Sequence, residues 1–271
     1  MGKLHHSLWI VEITNKIFGP LVLAVLQPLG FTFADPAKPI PDHIVMCAVI
    51  LLLFAGLGLF LRSRLSVEHP GKLQIVLEDL VTAVLDLMKA NIGPGAVKYF
   101  PLVGTIGIFI FTANMIGKVP GFMSPTASIN VTLGCALTVW VYYHWQGIRA
   151  QGLGKYLAHF AAPPGAPIFL APIMLPIELI SHLSRVLSLS LRLFGNVFGE
   201  EMVVLIIASI IPFLAPLPMA VLGVITGTLQ AFIFMLLTII YLAGAVHTEH
   251  HDEHGGAHEE AHEGAHAHAA A

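Results

Sequence analysis

The run from Ile168 to Ile211 is predominantly apolar, yet it holds Arg192 at its middle, in LSLRLFGNVFGEE at 189–201. As one α-helix the run would be about 66 Å long at 1.5 Å per residue, about twice the hydrocarbon thickness of a bilayer. Pro172 and Pro176 fall near its start, where a kink is tolerated, and no turn signal interrupts Leu179–Phe194. Gly195 and Gly199 are weak points rather than stops. The expectation is one long, steeply tilted helix. An arginine at the centre of a bilayer costs from about 2.5 to over 10 kcal/mol, depending on how the cost is measured. Arg192 is therefore read as a fixed positive charge that faces a carboxylate or a watery cavity.

Pro212, Pro216 and Pro218 make a corner, and Met219–Val246 is a second long apolar helix. Residues 168–211 and 219–246 are expected to pair as a tilted antiparallel hairpin. Shorter spans are expected at His43–Leu61, Phe100–Ile116 and Ile129–Trp145. Only 11% of the 271 residues are charged, whereas soluble domains carry about 25%. The fold class that follows is an all-α polytopic membrane protein with about five membrane helices, its membrane domain running over 43–246. Arg62, Arg64 and Lys72 follow the first span, and Arg149 and Lys155 follow the third. Excess Lys and Arg mark the cytoplasmic side, so both loops predict an N-terminus outside and a C-terminus in the cytoplasm. The net charge of -3 gives no sign of a nucleic-acid partner.

Residues 72–92 differ. Leu73, Val76, Leu77, Leu80, Val84, Leu87 and Met88 recur at helical spacing, with Glu78, Asp79, Asp86 and Lys89 between them. This predicts an amphipathic helix at the membrane surface or against a partner, or one packed on the rest of the chain. Residues 1–42 are expected to be external or interfacial. In them a polar stretch over 1–16 precedes an apolar run, Ile17–Phe33, broken by Pro20, Pro28 and Gly30. That run reads as an interfacial or re-entrant segment rather than a cleaved leader, and Pro36, Pro39 and Pro41 then make an extended linker. Cys47 and Cys135 lie in apolar runs and read as buried small hydrophobes, not a disulfide. The tail, 247–271, carries eight of the fifteen histidines. His250, His254, His258, His262 and His266 would stack on one helical face, able to hold zinc or nickel or to buffer protons. The plainer reading is a solvated tail, and no metal site or cofactor is assigned.

At 100° per residue from Arg192, Ser188 and Asn196 lie one turn away on the same face. Arg185 and Glu178 fall within about 40° of that face, Glu200 on its flank and Glu201 opposite. Acids thus stand on both sides of a central arginine, toward opposite ends of the helix. This suits two water-accessible half-paths meeting at a charge barrier. A carboxyl group arriving from one path loses its proton beside Arg192, because a nearby cation favours the charged form. It regains one from the other path. Nothing in the chain supplies that moving carboxyl, so it belongs to a partner. The alternative is a structural ion pair between Arg192 and Glu178 or Glu200. Gln230 reads as a neutral hydrogen-bond partner within the hairpin, and Asn196 as an amide able to bridge helices. Asn114 and Tyr241 are weaker candidates, and His144 and His182 read as interfacial or packing residues.

SLSLRLFGNVFGEE at 188–201 resembles the signature of subunit a in the membrane sector of rotary ATP synthases. LQAFIFMLLTIIYL at 229–242 resembles that family's last helix, and HPGKLQ at 69–74 and PTASINVTL at 125–133 agree with it. The resemblance covers most of 43–246. It implies a stator subunit in a bacterial inner membrane, with the c-ring, the peripheral-stalk b subunits and lipid as partners. It implies that Arg192 faces the carboxylate of the rotating c-ring and that Glu201 is the outer half-path acid. It likewise implies that Asn196 and Gln230 are polar neighbours of the arginine, that Glu178 is an acid of the cytoplasmic half-path, and that Ser188 is a small polar position beside the arginine. Two departures stand out. Where the family often carries a histidine or acid, seven residues before Gln230, this chain has Gly223, leaving room for water or for Glu201. After Asn114, where many relatives carry an acid, it has Gly117 and Lys118, so the outer path is expected to rely more on water or on Glu200.

Two rival functions remain. A secondary ion transporter would carry paired internal repeats with broken helices in both halves, and no repeat is visible. A non-transporting assembly scaffold would tolerate loss of Arg192. An enzyme is not expected. Gly71-Lys72, Gly117-Lys118 and Gly154-Lys155 are not followed by Ser or Thr, so there is no phosphate-binding loop, and ATP chemistry would belong to another subunit.

Overall fold

The computed structural model describes residues 9–26, 38–66, 69–119, 122–154, 156, 171–210 and 216–246. Seven α-helices run through them: α1 (Trp9–Leu26), α2 (Asp42–Arg62), α3 (Lys72–Ile92), α4 (Phe100–Ile116), α5 (Ile129–Gln151), α6 (Ala171–Ile210) and α7 (Pro216–Val246). Short 3-10 turns, Pro94–Tyr99 and Pro125–Ala127, lead into α4 and α5. No strand occurs among the described residues. The all-α architecture follows from the solvent expected for so apolar a chain. A helix satisfies every backbone group internally, and a lipid-facing segment has no other way to do so short of a closed barrel.

Among the described residues four helices are long and apolar enough to cross a membrane: Asp42–Arg62, Pro94–Ile116, Pro172–Ile210 and Leu217–Val246. The fifth expected span, α5, is 23 residues long. Asn130, Thr132, Thr138, His144, Gln146 and Arg149 dilute it; one face packs on α6 and α7, and Ile129, Leu137, Val141 and Trp145 stay exposed on the other. α6 is one unbroken helix of 40 residues, about 60 Å at 1.5 Å per residue. Gly195 and Gly199 do not interrupt it. Pro176 lies in its second turn, where the carbonyl its ring would crowd belongs to Pro172, at the helix's very start. A helix this long fits a bilayer only if tilted.

Side-chain contacts set the directions of packing. Arg185 lies over Tyr241 and Asn196 bonds Gln230, so α6 and α7 run antiparallel. Gly107 faces Met235 and Asn114 faces Gly227, so α4 is antiparallel to α7. Tyr143 bonds His182, and Gln151 bonds the Ala245 carbonyl at 2.9 Å, which makes α5 antiparallel to α6 and parallel to α7. Glycine brings α4 and α7 close. A Cβ at Gly107 would meet Met235 Sδ at 3.1 Å, and one at Gly227 would meet Met115 Cε at 3.0 Å; small residues are what permit such approach between membrane helices. The core is built from Val103, Ile106 and Ile110 of α4, Ala136 and Val139 of α5, Val186, Leu189, Leu193 and Val197 of α6, and Phe234, Ile239 and Leu242 of α7. The α6 members recur every three or four residues, the stripe a helix presents to one side. Leu183, Leu187 and Leu191 stay exposed beside it, as lipid-facing residues do.

Two peripheral helices qualify the expectations. On α3 only the C-terminal end docks: Met88 and Ile92 are buried, whereas Leu73, Val76 and Leu80 are exposed. The C-terminal half of residues 72–92 thus packs on the rest of the chain, and the N-terminal half keeps its apolar residues exposed. α1 begins at Trp9, inside the stretch read as polar, and continues through Pro20. Trp9, Val11, Ile13 and Ile17 carry the apolar pattern back into that stretch. Asn15 holds the helix to the extended linker, donating to the Ile40 carbonyl at 3.1 Å and accepting the Ile40 N–H at 2.9 Å. Cys47 and Cys135 are both free thiols. The corner over 211–215 and the histidine tail lie outside the described residues, as does the remainder of the run after Leu26 up to the linker.

Candidate functional site

α6 carries the site. Its buried stripe points to α5 and α7, which leaves Ser188 and Arg192 on the exposed flank. Arg192 makes no hydrogen bond, ion pair or ring contact among the described residues. The two acids that a structural ion pair would use are engaged elsewhere: Glu178 with His182, and Glu200 with Lys118. Along the helix Glu178 is about 21 Å to one side of Arg192 and Glu201 about 13 Å to the other.

One turn beyond the arginine, Asn196 Nδ2 donates to Gln230 Oε1 at 2.7 Å. Gln230 is buried, and its Nε2 has no acceptor among the described residues. A buried orphan donor carries a desolvation cost, so this atom marks where a water or a transient acceptor fits beside the α6–α7 seam.

Around Glu200 and Glu201 lies a polar cluster built from α4, the α4–α5 loop, α6 and α7. Lys118, just past the end of α4, pairs its ammonium with Glu200, and both side chains are only 16% exposed. Gly223 on α7 makes the space. A Cβ there would collide with the Glu200 carboxylate and stand 2.7 Å from Lys118 Nζ. The room expected for water or Glu201 is thus filled by Glu200. Glu201, on the other side of the helix, accepts the Ser124 N–H at 3.4 Å. Ser124 Oγ donates to the Ala113 carbonyl at 2.8 Å and touches Thr126 Oγ1 at 2.7 Å. Thr126 Oγ1 donates to Asn114 Oδ1 at 2.7 Å, and Asn114 Nδ2 donates to the Gly227 carbonyl at 3.0 Å. Two hydroxyl protons serve three contacts here, so the chain of bonds has more than one proton arrangement. Ser124, Thr126 and Asn114 are all essentially buried.

The opposite end is aromatic. Glu178 Oε1 lies 3.3 Å from His182 Nε2, whose ring Nδ1 is 2.8 Å from the Tyr143 hydroxyl. His144 packs 5.0 Å from His182 between ring centroids, and the Arg185 guanidinium lies 5.3 Å over Tyr241. Trp140, Tyr143, Arg185 and Tyr241 line a small cavity, and Trp140 Nε1 is a second buried donor without an acceptor. Tyr156, in the loop after α5, lies 6.0 Å from His144. Burial pushes its phenol up to about 12, against a smaller opposing effect of Arg185, so it stays protonated.

Every sequence-derived site residue therefore falls on or beside α6, in three groups along one helix. Asn114, read as a weak candidate, is the hub of a buried network, and Tyr241 is the stacking partner of Arg185. Reading the sequence missed Ser124, Thr126 and Tyr143 and gave His182 an interfacial or packing role. The spacing of Glu178 and His182, four apart on a helix, was a usable signal. Ser124 and Thr126 come from a loop, where helical periodicity is silent.

Comparison with known proteins agrees with this geometry. Residues 43–243 match the family model described as ATP synthase A chain. A Campylobacter jejuni protein (strain 81-176), "ATP synthase subunit a", is 48% identical over 209 residues, 76% of this chain and 89% of that one. Proteins of the same name from Helicobacter pylori are 48% identical in strain P12 and 49% in strain Shi470, each over 211 residues, 78% of this chain and 91% of those. With the arginine, its flanking acids, α6 and nearly all of α7 inside the matched region, the chain belongs to the ATP synthase A chain family.

Proposed function

We propose that this chain is the stator subunit of an ATP synthase membrane sector, in which Arg192 separates two proton half-paths and couples their traffic to rotation of the c-ring. It is a multi-pass membrane protein that binds no nucleotide itself, and the peripheral-stalk b subunits hold it static. The observation that carries the reading is Arg192, exposed on an apolar helix while the acids at either end of that helix are held by other partners.

The chemistry follows from that placement. A protonated rotor carboxyl is neutral enough to travel through lipid. Brought beside the Arg192 flank, it meets a guanidinium that favours its ionised form, and its proton leaves through one half-path. A new proton must arrive from the other before the group re-enters lipid. Because the arginine never gives up its charge, protons cannot leak directly between the half-paths. On this reading Glu201 and the Ser124–Thr126–Asn114 chain line the outer path. Glu178, His182 and Tyr143 line the cytoplasmic one, and Asn196 and Gln230 bound the central gap. The N-terminus is then outside and the C-terminus cytoplasmic. One charge moving through 100 mV releases about 2.3 kcal/mol, and successive steps drive the rotor.

Disulfide trapping tests the orientation. With Ser188→Cys placed one turn from Arg192, the assembled complex should cross-link to a cysteine beside the rotor carboxylate. Cross-linking only within this chain, with none to the rotor, would refute it.

A further inference from the structure

Two adjacent glutamates stand at one end of α6, and their surroundings differ in kind. Glu200 meets the ammonium of Lys118 in a site where each side chain is 16% exposed. Among the described residues the one hydrogen bond of Glu201 is to a neutral backbone N–H, that of Ser124, at the long distance of 3.4 Å. We propose that Lys118 makes Glu200 a fixed counter-charge rather than a proton carrier, so that the Lys118–Glu200 pair, seated on Gly223, is a wall of this half-path and Glu201 its single exchanging acid. The inference rests on the proton-path reading above and names which of the two acids serves it.

Three observations support it. Protonating Glu200 would strand the Lys118 ammonium in a nearly closed site, and breaking a buried pair on one side leaves a charge without compensation. Protonating Glu201 strands nothing, since its partner is uncharged. The shape of the site is also specific to the pair, because any side chain at Gly223 would strike the Glu200 carboxylate and crowd Lys118 Nζ. Finally, Ser124 joins Glu201 to the hydroxyl network, by its backbone N–H to the carboxylate and by its Oγ to Thr126; among the described residues no hydrogen bond joins that network to Glu200. Lys118 acts through Glu200 and is a positioning residue.

The test is ATP-driven proton pumping by the whole complex in membrane vesicles, normalised to assembled complex. Lys118→Met and Glu200→Gln should each lower pumping about tenfold or more, and the double variant should recover most of that loss, the signature of a coupled pair. Lys118→Arg, which keeps the charge, should pump far better than Lys118→Met. If single variants fail to assemble, the charge-swapped chain with Lys118→Glu and Glu200→Lys decides. Pumping by it supports the pair, and its failure to pump, assembled or not, overturns the proposal. Singles that pump like wild type, or a double no better than the worse single, also overturn it. Glu201→Gln separates the two claims. If it pumps normally, the proton-path reading itself fails. If it is inactive while the Lys118 and Glu200 effects are simply additive, only this inference fails.

Discussion

The two ends of α6 solve the same problem with different materials. At the Glu200–Glu201 end, one acid is held by an ammonium and the other by a backbone N–H, packed so tightly that a glycine is required opposite Glu200. At the Glu178 end, one acid leans on a histidine that a tyrosine in turn holds, among tilted and edge-on rings, and its own side chain is 38% exposed. The first end has little slack, because small polar groups leave no room to rearrange. The second has slack, because a half-exposed carboxylate can exchange its partner for water. Single substitutions should therefore be felt far more at the first end than at the second.

That asymmetry can be broken or sharpened in order of size. Glu201→Gln removes the exchanging acid and should cut ATP-driven pumping about a hundredfold, the lower range for loss of a positioned acid–base group. Gly223→Ala adds a single methyl, yet it displaces the Glu200 carboxylate. The overpacking cost of about 1–3 kcal/mol should appear as a lower thermal midpoint of the assembled complex, together with reduced pumping. Glu178→Gln should slow pumping only about threefold, in keeping with a half-exposed pair worth at most about 1 kcal/mol. A Glu178→Gln loss as deep as that of Glu201→Gln would erase the contrast between the ends. Deleting residues 250–271 should leave pumping within about twofold of wild type, as changes away from packed sites generally do. A larger loss would give the histidine tail a role in the path.

Much of this was legible in the residues because a membrane leaves few choices. Apolar length predicts helices, and a stranded arginine with flanking acids predicts a charge barrier. Asn196 and Gln230 were readable as partners because each lies on a long helix whose phase can be counted. The α4–α5 loop was not legible. Ser124 and Thr126 reach Glu201 and Asn114 through a turn whose path depends on tertiary packing, and no periodicity marks it. Lys118 was read as a departure, yet its meaning lay in pairing with Glu200 over a glycine on a third segment. α1 was misjudged at its start because Glu12 and Lys16 mask an apolar pattern that Trp9 and Val11 begin. α5 was read as a span, and the exposed stripe of Ile129, Leu137, Val141 and Trp145 fits that reading despite its polar residues.

The most direct test of the account is ATP-driven proton pumping by complexes carrying Arg192→Ala, with assembly checked by copurification of the c-ring. The account predicts an assembled complex with coupled pumping abolished. Wild-type-like pumping in that variant would contradict it.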